Sequence, residues 1–256
     1  MIWLIYDGSF EGFLTAIFEI YEYKWTEARI RREGTEVPPL FADTRTVISD
    51  ETKSARVWKK LVDLFGFDGV RSLWKSWLSE LDTIEDTILS VVRYALELRQ
   101  NVLSDFGNEH VLKLQQTVKS VGREKHRMEA FVRFQLMKDG LYFSVIEPDF
   151  NVLPLILSHF RDRYADQRWF IFDSRRRYGI YYDLETAEFV DFIPNSLLSQ
   201  NRISSEALNE QEILYQNLWN DYFGSTNIAG RKNIKLHVQH VPKRYWKYLI
   251  EKNRNF

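Results

Sequence analysis

The chain predicts an α+β fold, in which an antiparallel hairpin and meander pack with helices and a further helical region fills much of the N-terminal half. Three observations carry this reading. Phe131–Leu136 and Leu141–Ile146 are short aromatic and β-branched runs on either side of Lys138-Asp139-Gly140, which supplies an Asp-Gly turn. Arg168–Phe172, Tyr178–Tyr182 and Phe189–Phe192 repeat the strand pattern, with Asp173–Arg177 as the first connection, so they extend the hairpin into a meander. Between Asp50 and Val121, by contrast, apolar residues recur at helical spacing.

Taken in order, Ile2–Tyr6 is an apolar strand that Asp7-Gly8-Ser9 interrupts before a helix. Phe10, Phe13, Leu14, Ile17, Phe18 and Tyr21 form one face of that helix, and Ser9 is placed to cap it. The stretch 24–43 is mixed, with Pro38-Pro39 marking an extended connection, and Arg45–Ile48 reads as a short second strand. Asp50 caps a helix to about Phe65, Asp68 starts another to about Leu81, Asp82 or Thr83 starts one to about Leu98, and Asn108 opens a helix toward Gly122. Trp58, Trp74 and Trp77 lie in this region as core aromatics. After the hairpin, Asn151 caps a helix with Pro154 in its first turn. Asn195–Ser205 is loop-like, Glu206–Phe223 resumes helical spacing, and Pro242 opens a last helix to about Lys252. Two lobes are expected, residues 1–121 and 122–256, with one large domain as the alternative that the length also permits.

The 256 residues, 45% hydrophobic, suffice for a substantial core. With no cysteine, the chain has no disulfide, thiolate zinc site, cysteine nucleophile or cysteine-ligated cluster, and a cytoplasmic location is the natural expectation. The apolar N-terminus meets Asp7 too soon for a signal peptide or a membrane span, so no membrane partner is expected. A net charge of −1 hides alternating blocks: residues 1–110 carry −6, 111–182 carry +5, 183–221 carry −7 and 222–256 carry +7. Such a pattern suits a local anion-binding surface and a separate surface for another partner, although solvated helix faces explain it equally well.

Four basic clusters stand out: Arg123, Lys125 and Arg127; Arg175, Arg176 and Arg177; Arg231, Lys232 and Lys235; and Lys243, Arg244 and Lys247. Each lies near aromatics such as Phe131, Tyr178, Tyr245 and Trp246, a combination that neutralises phosphates and stacks unpaired bases if the clusters converge. Charges scattered for solubility are the plain alternative. As catalytic groups the sequence offers only Asp7 and Asp173, each at a strand end, and His126; Asp173 beside three arginines is more simply an ion-pair partner. His159 on a helix is a further acid–base position. His237 and His240 have a helical metal spacing but no third ligand close in sequence, so no metal and no other cofactor is expected. No phosphate loop, dinucleotide fingerprint or Gly-x-Ser-x-Gly is present.

Segments near the start (Asp7-Gly8-Ser9-Phe10-Glu11-Gly12), in the middle (His126–Phe134 and Trp169–Arg176) and near the end (Tyr222–Asn233 and His240–Trp246), taken in this order, give the chain a family likeness. It resembles a bacterial domain-of-unknown-function family described as DNA metabolism or repair proteins. The resemblance implies an association with a radical S-adenosylmethionine protein and with uracil-DNA glycosylase-superfamily domains, hence a role in nucleic-acid repair or modification. It assigns no reaction and no catalytic residue. Three functions remain open on the sequence: a nucleic-acid-binding accessory to such a partner enzyme, an enzyme of hydrolase or glycosylase type acting directly on damaged DNA, and a scaffold that binds protein only.

Overall fold

The computed structural model of the chain describes residues 1–191, 198–199, 202–203, 207–226, 238 and 241–249. The chain divides into two compact units, Met1–Arg123 and Glu124–Phe256. Among the described residues no helix is long and apolar enough to cross a membrane.

In the N-terminal unit, β1 (Ile2–Tyr6), β2 (Ala28–Arg32) and β3 (Asp43–Thr46) form a sheet in the order β2-β1-β3. Both pairings are parallel, with Ile2 opposite Ala28 on one side and Asp43 on the other. The expected antiparallel sheet is thus not the only one, since the strands of this half make a separate, parallel sheet. Helix α1 (Phe10–Glu22) carries the chain from β1 to β2, and residues 33–42 carry it to the opposite edge of β1, so each neighbour is reached by a crossover and not by a tight turn. The central strand buries Trp3, Leu4 and Tyr6.

Strand β2, Ala-Arg-Ile-Arg-Arg, was hidden within the mixed stretch because three arginines mask its pattern. Arg31 is nonetheless buried, since Glu36 (2.5 Å) and Asp86 (2.7 Å) pair with its guanidinium. Ser9 caps α1 by accepting from the Gly12 amide at 2.9 Å, as its position predicts. Asp50 likewise accepts from the Lys53 amide at 2.9 Å at the start of α2 (Glu51–Trp77). The two helices expected between Asp50 and Leu81 abut within α2 at Gly66, where φ of 71° and ψ of 171° break the helical path at a residue without Cβ. Trp77 is buried, whereas Trp58 lies at the exposed edge of the core, against Phe10. Helix α3 (Ile84–Leu98) buries Ile84, Ile88, Val91, Val92 and Ala95. Asn108 opens α4 (Glu109–Phe131), its Oδ1 accepting from the His110 and Val111 amides.

The basic segment after Gly122 is part of this helix, which runs nine residues beyond the expected end. A glycine costs about 1 kcal/mol in a helix. Burial of Val121 and Met128 and the Lys125–Glu129 pair (2.7 Å, one turn apart) offset that cost. Phe131 therefore ends a helix instead of starting a strand. The hairpin keeps its turn, with the Met137 amide donating to the Leu141 carbonyl at 2.9 Å, but β4 is only Gln135–Leu136, paired with Phe143 and Tyr142 of β5 (Tyr142–Ile146).

In the C-terminal unit β4 and β5 are followed by α5 (Leu153–Arg163), β6 (Trp169–Asp173), β7 (Tyr178–Tyr182) and β8 (Ala187–Val190), giving one sheet in the order β4-β5-β6-β7-β8. Its β6–β7 and β7–β8 pairings are antiparallel, as the meander requires, but β5 and β6 are parallel and joined through α5. The sheet is therefore mixed. All five residues of β6 are buried because both faces of this middle strand are covered. Phe170 and Phe172 pack with Met137, Phe143, Val145 and Leu208 on one face. On the other, Trp169 meets Phe134, Phe160 and Tyr182.

Asn151 does not cap α5: Val152 stands at the N-cap position, and the Asn151 Oδ1 accepts instead from the Tyr178 hydroxyl. Leu198–Ser199 (β9) and Arg202–Ile203 (β10) form a two-residue antiparallel pair inside the stretch expected as loop. Helix α6 covers Glu210–Thr226, and the helix expected after Pro242 is a 3-10 turn, Lys243–Tyr248.

Candidate functional site

A parallel strand pair leaves the loops at its carboxyl ends side by side, and such edges commonly hold ligands. In the C-terminal unit these loops are Glu147-Pro148-Asp149 after β5 and Ser174-Arg175-Arg176-Arg177 after β6. Asp173, the last residue of β6, is fully buried. One of its oxygens accepts from the Arg175 (2.9 Å) and Arg176 (3.1 Å) amides, and the other from Arg176 Nη1 at 2.9 Å. Burial pushes its carboxyl above the usual range, and the opposing pull of Arg176 does not cancel that. Arg176 then bridges to the neighbouring loop, donating to the Pro148 and Asp149 carbonyls at 3.1 Å each.

A second buried carboxylate, Glu124 of α4, is 1% exposed. Its Oε1 accepts from the Tyr245 hydroxyl (2.6 Å) and the Asp149 amide (2.9 Å), and its Oε2 from Arg244 (3.0 Å) and, at 3.5 Å, Arg127. Arg244 also reaches the Asp149 carboxylate at 2.8 Å. Glu147 accepts from Lys247 and from the Tyr248 hydroxyl (2.5 Å). Partial burial opposes ionisation of Glu147, but these two donors outweigh it and hold its carboxyl below the ordinary range. The Tyr245 phenol is pushed well up, first by burial and then by Glu124.

Arg175, Arg176, Arg244 and Lys247 thus meet on residues 147–149 and the β6–β7 turn, and Arg127, from a third basic cluster, joins them through the Glu124 carboxylate that it shares with Arg244. Glu124, Glu147, Asp149 and Asp173 offset most of their charge. What faces outward is the exposed Arg175, with one donor on the Asp149 carbonyl at 3.2 Å, and the exposed Arg177, whose guanidinium lies 5.7 Å from the Phe172 ring. Lys243 is exposed beside the Trp246 ring.

Other sequence candidates stand apart from this network. Lys125 pairs with Glu129, and the exposed His126 and half-buried His159 each lie 3.9 Å from the same carboxylate. Arg123 donates to Ser120 in the N-terminal unit. Tyr245 is buried, which corrects its expected role as a stacking platform, and Trp246 donates its indole N–H to the Val241 carbonyl. Arg231, Lys232, Lys235, His237 and His240 lie outside the described residues. Among the described residues no group of three or more acidic or histidine side chains is arranged to hold a metal ion. Glu124, Glu147 and Tyr248 escaped the sequence reading, yet Glu124 carries a signal: it is the single acid within Arg123–Arg127.

Asp7, in the N-terminal unit, ends β1. Its Oδ1 accepts from the Ser9 amide (2.9 Å) and hydroxyl (2.7 Å), its Oδ2 from the Ser49 hydroxyl (2.7 Å). A Cβ at Gly12 would stand 2.4 Å from that Oδ1, so only glycine leaves room for the carboxylate. Slight burial opposes ionisation, but the Ser9 and Ser49 bonds prevail and lower the carboxyl below its ordinary value. A folded value below the unfolded one gives stability that is present above about pH 4 and is lost as pH falls through the folded value. Asp7→Asn should therefore differ most from the native chain above pH 4, and urea midpoints of the two should approach each other below it. A gap unchanged down to pH 2 would count against this account.

A family model for the domain of unknown function DUF4130 matches residues 82–251, well over half of the chain. No curated protein and no solved structure matches it. On that match the chain belongs to the DUF4130 family.

Proposed function

We propose that the rim formed by the β5 and β6 loops binds the phosphate backbone of a nucleic acid, and that the protein is a binding accessory to an enzyme acting on that nucleic acid. The observation that carries this reading is the meeting of three sequence-distant basic segments at the carboxyl ends of a parallel strand pair, where Arg175, Arg177 and Lys243 are each exposed. Behind them Asp173 accepts from the Arg175 and Arg176 amides, so the backbone of the turn that carries Arg175 and Arg177 has little freedom left to lose on binding. The resemblance to DNA metabolism or repair proteins favours DNA as the nucleic acid, and a radical S-adenosylmethionine protein or a glycosylase-like protein as the partner. Direct catalysis gains less support, since Asp173 is buried with both oxygens engaged and His126 stands outside the network.

Fluorescence anisotropy with labelled single- and double-stranded oligonucleotides, over a series of salt concentrations, tests the proposal. Binding should show little sequence preference and weaken steeply with salt, the logarithmic slope changing by about 0.9 for each duplex phosphate contact. Arg175→Ala combined with Arg177→Ala should weaken binding and flatten the slope by about one to two such contacts. Arg176 is left intact because it ties Asp173 to residues 148 and 149. Absence of binding at low salt by the folded protein would leave the protein-only scaffold as the better reading.

A further inference from the structure

Between β2 and β3 the chain displays three large apolar side chains within five residues: Val37 and Leu40 are each 90% exposed and Phe41 is 95% exposed. Single exposed apolar residues are ordinary, but a contiguous group of them marks an interaction surface. This group is held in shape. At its base Glu36 pairs with the buried Arg31 at 2.5 Å, and the Thr35 hydroxyl donates to the Arg32 carbonyl at 2.8 Å. Pro38 and Pro39 each fix a φ angle, the Ala42 amide donates to the Pro39 carbonyl at 2.9 Å, and Asp43 opens β3. Leu40 and Phe41 are the central pair of that β-turn.

Charge selects the kind of partner. Residues 33–43 contain Glu33, Glu36 and Asp43 but no lysine, arginine or histidine, and all three acids are exposed. Thr35 and Glu36 also line one cavity with Glu80 and Asp82, two further exposed acids. Such a rim repels the phosphates of nucleic acids and of anionic lipids. A second copy meeting it face to face would bring the same acids against its own. The complement is an apolar pocket surrounded by cations.

We propose that this turn docks a partner protein, with Leu40 and Phe41 entering an apolar pocket whose rim carries lysine and arginine. Large apolar side chains on a backbone fixed at both ends bind with little conformational freedom left to lose, which is the way a few anchor residues come to dominate an interface. The contact concerns the N-terminal unit alone and does not depend on the nucleic-acid reading of the C-terminal unit.

Photoreactive benzoylphenylalanine in place of Phe41 of the full chain, irradiated in the cells that make the protein, tests the proposal. The crosslinked peptides should come from another protein, at an apolar pocket bordered by lysine or arginine, and the two purified proteins should form a complex that weakens as salt rises. Leu40→Ala and Phe41→Ala should each weaken that complex by about tenfold or more, the loss expected when a buried Leu or Phe side chain is removed. Glu33→Lys combined with Asp43→Lys should weaken it and remove most of its salt dependence. The unfolding midpoint should stay in place in every variant, since each of these side chains is exposed. A crosslink only to the same chain, a second copy, lipid or nucleic acid, a pocket without basic side chains, or no crosslink at all would each overturn the proposal. So would a complex indifferent to Leu40→Ala and Phe41→Ala.

Discussion

Glu124→Ala is expected to cost about 2–5 kcal/mol of stability, the sum of leaving its hydroxyl and amide donors without their acceptor. Glu124 is 1% exposed, and its carboxylate takes bonds from a hydroxyl, an amide and a guanidinium. Alanine leaves the buried Tyr245 hydroxyl and the part-buried Asp149 amide without their acceptor, so the loss is not one contact but that of each donor. At about 2–4 °C per kcal/mol for a chain of this size, the thermal midpoint should fall by roughly 10 °C. Glu124→Gln keeps an acceptor for Tyr245 and gives up the charge facing Arg244, so its loss should be clearly smaller. Urea unfolding of both variants measures the difference. A loss below about 1 kcal/mol for alanine would mean that the network behaves as exposed ion pairs do.

Asp173→Ala should be of similar size, about 3–5 kcal/mol, because it strands the Arg176 guanidinium and two amides at the end of the innermost strand. It should also weaken nucleic-acid binding, because the turn that presents Arg175 and Arg177 loses its anchor. Asp173→Asn separates charge from shape, since the amide oxygen still accepts from the two backbone groups. Burial has raised the native carboxyl above its unfolded value, so the native state binds the proton more tightly. This group's contribution is therefore present below the ordinary carboxylate range and is lost as pH rises through the raised value, the opposite sense to Asp7. Urea midpoints of Asp173→Asn and the native chain should accordingly favour the native chain more at pH 4 than at pH 7. The reverse order would show that Arg176, not burial, controls this carboxyl.

The local chemistry of the fold was legible wherever one residue type has one job. Ser9, Asp50 and Asn108 start helices as their side chains predict, and Lys138–Gly140 turns the chain. Direction between strands was not legible, because Ile2–Tyr6 and Trp169–Asp173 have the composition of buried strands in either sense. Strand β2 was lost because its arginines read as surface until Glu36, Asp86 and Glu85, each distant or offset in sequence, are brought to them. The same cause limited the site. The arginines were visible as a class, but which of them face outward depends on four carboxylates spread from residue 124 to residue 173.

The family match opens at residue 82, between α2 and α3, whereas the compact unit containing those helices opens at Met1. The matched stretch and the unit that holds together physically are thus cut at different places. Helix α3 lies on the matched side, but its buried stripe of Ile84, Ile88, Val91 and Val92 belongs to a core completed by β1, β2 and α2 on the other. A relative that keeps only the matched portion must either cover that stripe with different residues or replace them with polar ones. The identity of those positions in other members therefore tells whether they carry an equivalent of the first 81 residues.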